Sequence, residues 1–247
     1  MITKYWQKHR LILINDIGRL KYNCIIKMDV HGREYLIKKE LQQTTNYVLY
    51  NGWSNRTTYG YHSFNIDEIN IIGQRVPKIR IEMMKAYVDF TDKTIVDFGC
   101  NVGAMLFHIP EIKYGIGFDY DARCIIAARR IKKILNYENV DFDFFDFNIA
   151  DFGALKDKIT IKPDIAFVLS LGSWVKNIFN ILQLCIEMGV DVILETNNDK
   201  EGRKEIEYFS KNNYDITLII DGSPDDITQN KMNRKTYLIS KIKKCTD

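Results

Sequence analysis

The segment from residue 95 to 103, IVDFGCNVG, has residue types and a spacing that suit the binding of a nucleotide-like cofactor. An apolar, strand-like run ends in Asp97, and Gly99 and Gly103 follow it on either side of Asn101. Glycines at such positions let the backbone turn tightly and approach a ligand closely. Because Asn also tolerates a left-handed backbone, we expect Asn101 to replace a third glycine without spoiling the loop.

A second chemical group is the carboxylate of Asp119, which ends the next strand-like run, GIGFD. A dinucleotide-binding loop has the spacing G-x-G-x-x-G and an acidic residue about 20 positions further on. Here Gly99, Asn101 and Ala104 occupy the glycine positions, so Asp119 suits a dinucleotide loop and other nucleotide loops alike. Asp97 distinguishes a dinucleotide loop from other nucleotide loops, because it lies at a strand position where dinucleotide-binding strands usually remain apolar.

The alternation of elements after residue 94 predicts how these residues are positioned. The strand-like runs are TIVDFG, YGIGFD, VDFDFFD, DIAFVLSL, VDVILET, DITLIID and KTYLISK. Helical patterns lie at 103–109, 121–136, 173–188 and 200–212. Such alternation predicts an α/β fold with a Rossmann-like, seven-strand, mostly parallel sheet, and the last two runs predict a C-terminal antiparallel hairpin. Ligands of such sheets bind beyond the carboxyl ends of the strands, where the loop after the first strand lies.

The residues before this core have a different character. YNCIIKMDVHGREYLIKKE predicts two strands around the turn-prone pair His31-Gly32, and Pro77 predicts the start of a helix. Between them the chain is aromatic, polar and irregular. We therefore predict an N-terminal β-hairpin and lid extension over residues 1–75 and a core domain over residues 76–247.

The composition excludes several classes of protein. The chain has 247 residues and a net charge of +3, which is too mild to indicate a nucleic-acid-binding protein by itself. Five cysteines without C-x-x-C spacing and four scattered histidines predict no metal site and suit a reducing cytosol. No apolar run predicts a membrane span or a signal peptide, so we expect a cytoplasmic protein. The sequence does not indicate an oligomeric state.

The pattern apolar-Asp-x-Gly-x-x-x-Gly resembles the first motif of class I S-adenosylmethionine-dependent methyltransferases, and GIGFDYDA, FDFFDFN and PDIAFVLSL resemble the next three. The resemblance implies that the glycine loop wraps the methionine part of the cofactor, that Asp119 binds the ribose hydroxyls, and that Asp146 approaches the adenine. Asp141 and Asp143 lie on the same run and remain alternatives for the adenine. The cofactor-binding residues implied are Arg75, Asp97, Gly99, Asn101, Gly103, Asp119, Tyr120, Asp146, Phe147 and Ser170.

The segment before the core narrows the resemblance. YHSFNIDEINIIGQRVPKIRIEMM resembles a branch that contains wobble-uridine carboxymethyl-transferring tRNA enzymes and several glycan or antibiotic methyltransferases. By this resemblance, residues 61–75 fold over the active site, and Arg75 pairs with the cofactor carboxylate through its two-pronged guanidinium.

Missing motifs limit the acceptor chemistry. The chain has neither the [DN]-P-P-[FY] motif of amino-methylating DNA enzymes nor the Pro-Cys of cytosine-C5 enzymes. Ser170 stands where metal-dependent enzymes have Asp, so we expect no catalytic metal. A hydroxyl nucleophile benefits from a general base, for which His62 and Glu195 are the candidates. Ser173 and Trp174 are candidates for the acceptor pocket.

Together these features predict methylation, with O-methylation favoured, of a small polar metabolite or glycan precursor, including phosphorylated or nucleotide-linked ones. A tRNA methyltransferase of the wobble-uridine type is the alternative enzyme, and it would need an extended basic surface to neutralise several phosphates. A cofactor-binding partner subunit without catalysis is the alternative from another class. The mild net charge disfavours a nucleic-acid partner.

Overall fold

The structure is a computed structural model, and it describes residues 28–50, 60–227 and 234–242. The elements before the core are α1 (Val30–Tyr50), β1 (Phe64–Ile66), β2 (Ile69–Ile71) and α2 (Pro77–Lys85). The core begins with β3 (Thr94–Phe98), α3 (Ala104–Phe107), β4 (Tyr114–Asp119), α4 (Ala122–Leu135), β5 (Val140–Phe144) and α5 (Phe152–Lys158). It continues with β6 (Ile165–Leu169), α6 (Ile178–Met188), β7 (Asp191–Glu195), α7 (Asp199–Ser210), β8 (Tyr214–Asp221) and β9 (Lys235–Lys241).

A seven-stranded sheet with the order β5-β4-β3-β6-β7-β9-β8 forms the centre of the fold. The strands from β3 to β7 are parallel to their neighbours, whereas β9 is antiparallel to both β7 and β8. Every residue of β3 is buried, as expected of a central strand that helices cover on both faces. The predicted α/β fold with a mostly parallel sheet and an antiparallel C-terminal strand pair is confirmed.

The strand order reverses at β3, which pairs with β4 on one side and with β6 on the other. The chain passes from β3 toward β4 and from β6 toward β7, which are opposite directions across the sheet. This divergence opens a crevice at the carboxyl ends of β3 and β6. The residues that follow the strands, Gly99 after Phe98 and Ser170 after Leu169, therefore lie side by side at the crevice.

The described part of the chain before residue 76 packs on the core. Ile37 and Leu41 of α1 and Phe64 of β1 are buried in one hydrophobic cluster together with Ile95 of β3. At the surface, Arg130 of α4 donates a 3.1 Å hydrogen bond to Glu40 of α1. The predicted division of the chain into residues 1–75 and 76–247 stays a prediction. One apolar cluster contains residues from both sides of it.

The predicted hairpin around His31-Gly32 is wrong for the residues from Val30 onward, because they form α1. Asp29 caps the start of this helix: its Oδ1 accepts a 2.8 Å hydrogen bond from the Gly32 N–H, and its carbonyl accepts one from the Arg33 N–H. Ile37 and Leu41, four positions apart, bury one face of the helix. Residues 22–27 of the predicted hairpin lie outside the described residues.

An antiparallel hairpin does precede the core, but at a different place. It is formed by β1 and β2, with Phe64 opposite Ile71 and Ile66 opposite Ile69. Its tight turn places Asp67 at a φ of 51°, a left-handed conformation that Asp tolerates better than most residues.

The helices between the strands differ from the predicted patterns in two places. α6 begins at Ile178 rather than at residue 173, so residues 170–177 form a loop at the crevice. α5, which the sequence patterns did not predict, is a short helix whose start is capped by Asp151, with its Oδ1 accepting a 3.0 Å hydrogen bond from the Gly153 N–H. Among the described residues, no helix has both the length and the apolar character that crossing a membrane requires.

Candidate active site

A cavity lies over the carboxyl ends of β3, β4, β6 and β7, at the crevice where the strand order reverses. Ten of the residues predicted from the sequence line it: His62, Asp97, Gly99, Asn101, Asp119, Tyr120, Phe147, Ser170, Trp174 and Glu195. These residues come from six separate segments of the chain, and the fold brings them to one site.

The glycine loop after β3 has the left-handed backbone that its sequence predicts. Gly99, Asn101 and Gly103 have φ angles of 80°, 51° and 76°. A side chain at Gly103 would also collide with Phe142, since an added Cβ would lie 2.4 Å from its ring. The expectation that Asn101 adopts a left-handed backbone is confirmed, and its Oδ1 accepts a 2.9 Å hydrogen bond from the Val102 N–H within the turn.

Asp119 ties this loop to the end of β4. Its Oδ2 accepts a 2.8 Å hydrogen bond from the Asn101 N–H, and its Oδ1 accepts a 2.9 Å hydrogen bond from the Asp121 N–H. Burial raises the pKa of this carboxyl to about 6, although both hydrogen bonds oppose the rise. A carboxylate has about four acceptor positions, so the fixed side chain can still accept a hydrogen bond from a ligand hydroxyl.

Asp97 is a second buried carboxylate in the cavity wall. Its side chain is 2% exposed, and none of the described residues donates a hydrogen bond to its Oδ2. Burial, together with the neighbouring Asp119, raises its pKa to about 8. A buried acceptor without a donor is costly, so this oxygen suits a ligand that brings an N–H group or a positive charge.

At the other end of the cavity, buried arginines and carboxylates form a network. Arg75 binds Asp225 with two hydrogen bonds, Nε to Oδ2 at 2.7 Å and Nη2 to Oδ1 at 2.9 Å. Its Nη2 also lies 2.9 Å from Glu195 Oε1. Arg80 reaches the same two carboxylates, with Nη1 at 3.0 Å from Glu195 Oε2 and Nη2 at 3.0 Å from Asp225 Oδ2.

Three further residues extend this network into the cavity. Tyr61 accepts hydrogen bonds at its hydroxyl from Arg75 Nη1 at 3.3 Å and from Arg234 Nη1 at 3.2 Å. His62 stands beside Tyr61, with their ring centroids 4.6 Å apart. Burial, and secondly the charge of Arg75, lower the pKa of His62 to about 3, so the ring is neutral at physiological pH. No described residue bonds its Nδ1.

Arg75 is not among the residues that line the cavity. Its side chain is 1% exposed, and its guanidinium donates hydrogen bonds to Asp225, Glu195 and Tyr61. These contacts hold the cavity wall together, and the predicted contact of Arg75 with the cofactor carboxylate stays a prediction. Glu195 does line the cavity, but both of its oxygens are ion-paired with Arg75 and Arg80. Burial raises its pKa, while Arg75 and Arg234 oppose the rise.

Three other predicted residues do not line the cavity. Gly103 starts α3 below the loop, and Ser173 is exposed on the 170–177 loop. Asp146 turns away and caps its own bend by accepting a 2.9 Å hydrogen bond from the Asn148 N–H. Asn148 lines the cavity in its place, and its side chain holds the 170–177 loop through the Trp174 carbonyl and the Lys176 N–H.

Arg80 and Arg234 also line the cavity, and sequence reasoning missed Arg234. Arg80 lies on the buried face of α2 with Ile81 and Met84, and a charged residue within an apolar helical pattern is a signal of an ion pair. Arg234 directly precedes β9 and carries no comparable local signal. Among the described residues, no group of three or more His, Cys, Asp or Glu side chains is arranged to hold a metal ion.

Comparison with known proteins gives a fold but no close relative. No protein-family model matches the chain, and no curated protein sequence matches it. The chain is similar in structure to the N-terminal domain of EvdMO1 with SAH bound, with a TM-score of 0.58 and 12% identity over 91% of this chain and 100% of that domain. The present chain covers 46% of the length of a longer EvdMO1 chain that was also solved.

Two other solved structures show the same likeness. An rRNA methylase from Streptococcus thermophilus has a TM-score of 0.50 and 12% identity over 67% of this chain and 97% of its own. WbdD, in a co-crystal with a kinase inhibitor, has a TM-score of 0.53 and 16% identity over 68% of this chain and 42% of its own. At such low identities the likeness establishes the fold, and the fold implied by the resemblance to class I methyltransferases is confirmed.

Proposed function

We propose that the protein is an S-adenosylmethionine-dependent methyltransferase that acts on a small polar acceptor. One observation carries the proposal: the left-handed loop at the strand-order reversal is hydrogen-bonded to the carboxylate of Asp119, and both line one cavity. The likeness to a domain crystallised with SAH, the product of that cofactor, supports it.

The residues of the cavity fit this cofactor. The spare lone pairs of Asp119 suit the ribose hydroxyls, and the Gly99–Asn101 turn suits the methionine part. The unpartnered oxygen of Asp97 suits the amino group of that part, which would offset the cost of its burial. Tyr120, Phe147 and Trp174 supply aromatic surface for the adenine. When bound, the cofactor supplies an electrophilic methyl group on a sulfonium.

The chain's own residues then have to align the acceptor and take its proton. Holding the acceptor in line with the methyl group accelerates the displacement, because the entropy of bringing the two reactants together is already lost on binding. His62 is our candidate for accepting a hydroxyl proton, because it lines the cavity and has an Nδ1 that no described residue bonds. Its pKa of about 3 leaves the ring neutral but also makes it a weak base in the ligand-free protein. Glu195 is a weaker candidate, since its two oxygens lie within ion-pair distance of Arg75 and Arg80. We propose that Glu195 positions Arg80 instead.

The form of the cavity favours a small acceptor over RNA. Tyr61 and His62 wall one side, and this wall is fastened by hydrogen bonds from the Ser63 N–H to the Arg75 carbonyl and from the Arg75 N–H to the Tyr61 carbonyl. Small-molecule sites are typically concave pockets with a few placed polar groups in their walls. That residues 61–75 close further over a ligand is part of the proposal, and O-methylation is our choice because His62 suits a hydroxyl acceptor.

Calorimetry and a transfer assay test the proposal. S-adenosylhomocysteine should bind at micromolar level and NAD should not bind measurably. Labelled methyl groups should pass from S-adenosylmethionine to small polar alcohols and not to bulk tRNA. Incorporation into tRNA would establish the RNA alternative, whereas cofactor binding without transfer to any acceptor would favour a non-catalytic partner subunit.

The His62→Ala variant tests the proposed base. Turnover should fall by roughly a hundredfold or more, within the usual range for a general base, while S-adenosylhomocysteine affinity stays nearly unchanged. His31→Ala, on the exposed face of α1, is the matched control and should keep full activity. Full activity in His62→Ala would remove the base from the mechanism but leave the cofactor assignment intact.

A further inference from the structure

An irregular loop, residues 170–177, connects β6 to α6 beside the cavity, and its Leu171, Trp174 and Val175 line the cavity. Leu171 also packs against the glycine loop, since a Cβ added at Gly99 would lie 2.9 Å from the Leu171 side chain. Within the loop, the N–H groups of Trp174 and Val175 donate hydrogen bonds of 2.8 and 3.1 Å to the Leu171 carbonyl. Because this backbone belongs to no helix or strand, contacts from neighbouring segments have to position the side chains that it presents to the cavity.

Asn148, in the segment between β5 and α5, binds the 170–177 loop at two points. Its Nδ2 donates a 3.3 Å hydrogen bond to the Trp174 carbonyl, and its Oδ1 accepts a 2.7 Å hydrogen bond from the Lys176 N–H. The Asn148 N–H in turn donates a 2.9 Å hydrogen bond to Asp146 Oδ1, which fixes the bend from which the amide projects. Asn148 also lines the cavity. One cavity residue therefore uses both ends of its side-chain amide to hold the loop.

Two aromatic side chains that line the cavity are held in different ways. Phe147 is 4% exposed and packs against Phe98 and Phe145, with ring centroids 6.2 and 5.3 Å away. Trp174 is 46% exposed and lies on the irregular loop. The core thus fixes Phe147, whereas the place of Trp174 depends on the loop backbone, to which Asn148 is bonded at the Trp174 carbonyl. Asn148 is therefore placed to set how these two rings face each other across the cavity.

A second asparagine binds the same loop from the other side. Asn197, which follows β7, accepts a 3.2 Å hydrogen bond at its Oδ1 from the Ser173 N–H. Unlike Asn148, it does not line the cavity. Asn197 makes the same kind of contact with the loop, so it shows what loosening the loop does to a ligand that Asn197 does not touch.

We infer that Asn148 is a positioning residue for the cofactor: by binding the Trp174 carbonyl and the Lys176 N–H, it holds the 170–177 loop against the adenine. This inference rests on the proposed function and deepens it, because it assigns the adenine to the space between Phe147 and the loop. A loop that is already held in its binding conformation loses less conformational entropy when the ligand arrives, so the ligand binds more tightly.

Calorimetry with S-adenosylhomocysteine tests the inference. Asn148→Ala should bind it at least about fivefold more weakly, roughly the effect of losing one ordinary hydrogen bond. Asn148→Asp keeps an acceptor for the Lys176 N–H but has no donor for the Trp174 carbonyl, and its affinity should lie between those of Asn148→Ala and the unmodified protein. Asn197→Ala should weaken binding in the same direction but less, because it removes a single contact with the loop.

Asn139→Ala is the matched control. Asn139 Nδ2 donates a 2.9 Å hydrogen bond to the Ile112 carbonyl, and the residue does not line the cavity. This variant also loses a hydrogen bond from a side chain to the backbone, but it should bind S-adenosylhomocysteine as tightly as the unmodified protein. Thermal unfolding should show both alanine variants folded at the temperature of the titration. An equal loss of affinity in Asn139→Ala and Asn148→Ala would overturn the specific role of Asn148.

Hydrogen exchange shows whether Asn148 holds the loop. The peptide that contains residues 170–177 should exchange faster in ligand-free Asn148→Ala than in the ligand-free unmodified protein, because the Lys176 N–H has lost its acceptor. Bound S-adenosylhomocysteine should slow the exchange of this peptide in the unmodified protein. Unchanged exchange in both comparisons would contradict the inference.

A double-mutant cycle separates action through the loop from direct contact with the ligand. In a Trp174→Ala background, Asn148→Ala should weaken S-adenosylhomocysteine binding at most about twofold, because the ring that Asn148 positions is gone. The same loss in both backgrounds, or unchanged affinity in Asn148→Ala alone, would overturn the inference, while binding by the unmodified protein still supported the proposed function. Failure of the unmodified protein to bind S-adenosylhomocysteine would remove the proposed function itself.

Discussion

Arg75 and Asp225, 150 positions apart in the chain, are joined by two hydrogen bonds of 2.7 and 2.9 Å in the protein interior. This pair fastens the segment before α2 to the loop that links β8 and β9. The fastening is reinforced by the backbone, since the Val76 N–H donates a 2.9 Å hydrogen bond to the Asp225 carbonyl. Two segments beside Arg80 and Glu195 in the cavity wall are thus held together by buried ion pairs and a backbone hydrogen bond.

Removing one partner of this pair should be strongly destabilising. Arg75→Met leaves Asp225 and Glu195 buried with less compensation, and breaking a buried pair in this way costs about 3 to 5 kcal/mol. Urea unfolding should show that loss. Arg129→Met, which breaks the exposed pair with Asp143, should cost at most about 1 kcal/mol. Similar losses in both variants would mean that the Arg75 network does not hold the wall.

Asp119→Ala should weaken cofactor binding. The variant removes the carboxylate proposed to bind the ribose and should cost about 2 to 4 kcal/mol of S-adenosylhomocysteine affinity, the usual size for two charge-assisted hydrogen bonds. Because the pKa of Asp119 is raised to about 6, affinity of the unmodified protein should also fall as the pH drops below that value. Asp151→Ala, at the start of α5, is the control, and unchanged affinity in Asp119→Ala would place the ribose elsewhere.

Asp97 should make the ligand-free protein less stable at alkaline pH. Its pKa is about 8 in the folded protein against an ordinary 3.8, so the folded state holds the proton more tightly than the unfolded chain. Stability is therefore lost as the pH rises from near 4 through 8. Asp97→Asn lacks this ionisation and should unfold at higher temperature than the unmodified protein at pH 9, by at least about 2 °C, which corresponds to roughly 1 kcal/mol at this size.

The same variant should bind S-adenosylhomocysteine more weakly, because it removes the acceptor proposed for the amino group. Thermal unfolding at pH 5 and pH 9, with and without ligand, measures both effects. A stability difference between variant and unmodified protein that is the same at both pH values would contradict the raised pKa of Asp97.

Asn101→Gly should be tolerated, whereas Asn101→Val should not. Gly adopts a φ of 51° without steric cost, while a β-branched residue there costs at least about 1 to 2 kcal/mol. The Asn101 N–H that holds Asp119 is retained by both variants, so the loss in Val should come from backbone strain. Chemical unfolding and S-adenosylhomocysteine titration check this, and equal behaviour of the two variants would show that the left-handed turn is unimportant.

The sequence by itself determined the parts of this protein that depend on local spacing. The alternation of strand-like and helical patterns specifies a mostly parallel sheet, because each pattern buries its apolar face in only one way. The glycine loop and Asp119 could be identified for the same reason: they follow directly on strands whose carboxyl ends meet at one edge. Asn101 could be assigned a left-handed backbone from its chemical type and its place between the two glycines of the loop.

Tertiary structure decided what depends on contacts between distant segments. The His31-Gly32 pair has turn-forming residues, but burial of Ile37 and Leu41 against the core and capping by Asp29 make the segment a helix. Arg75 is a residue type that binds carboxylates, which is why the sequence suggested a contact with the cofactor carboxylate. In the folded protein it forms ion pairs with Asp225 and Glu195, because the sheet brings β7 and the β8–β9 loop beside it. Arg234 enters the cavity for the same reason. Charge pairing over such separations is set by the topology of the chain, and no local pattern records it.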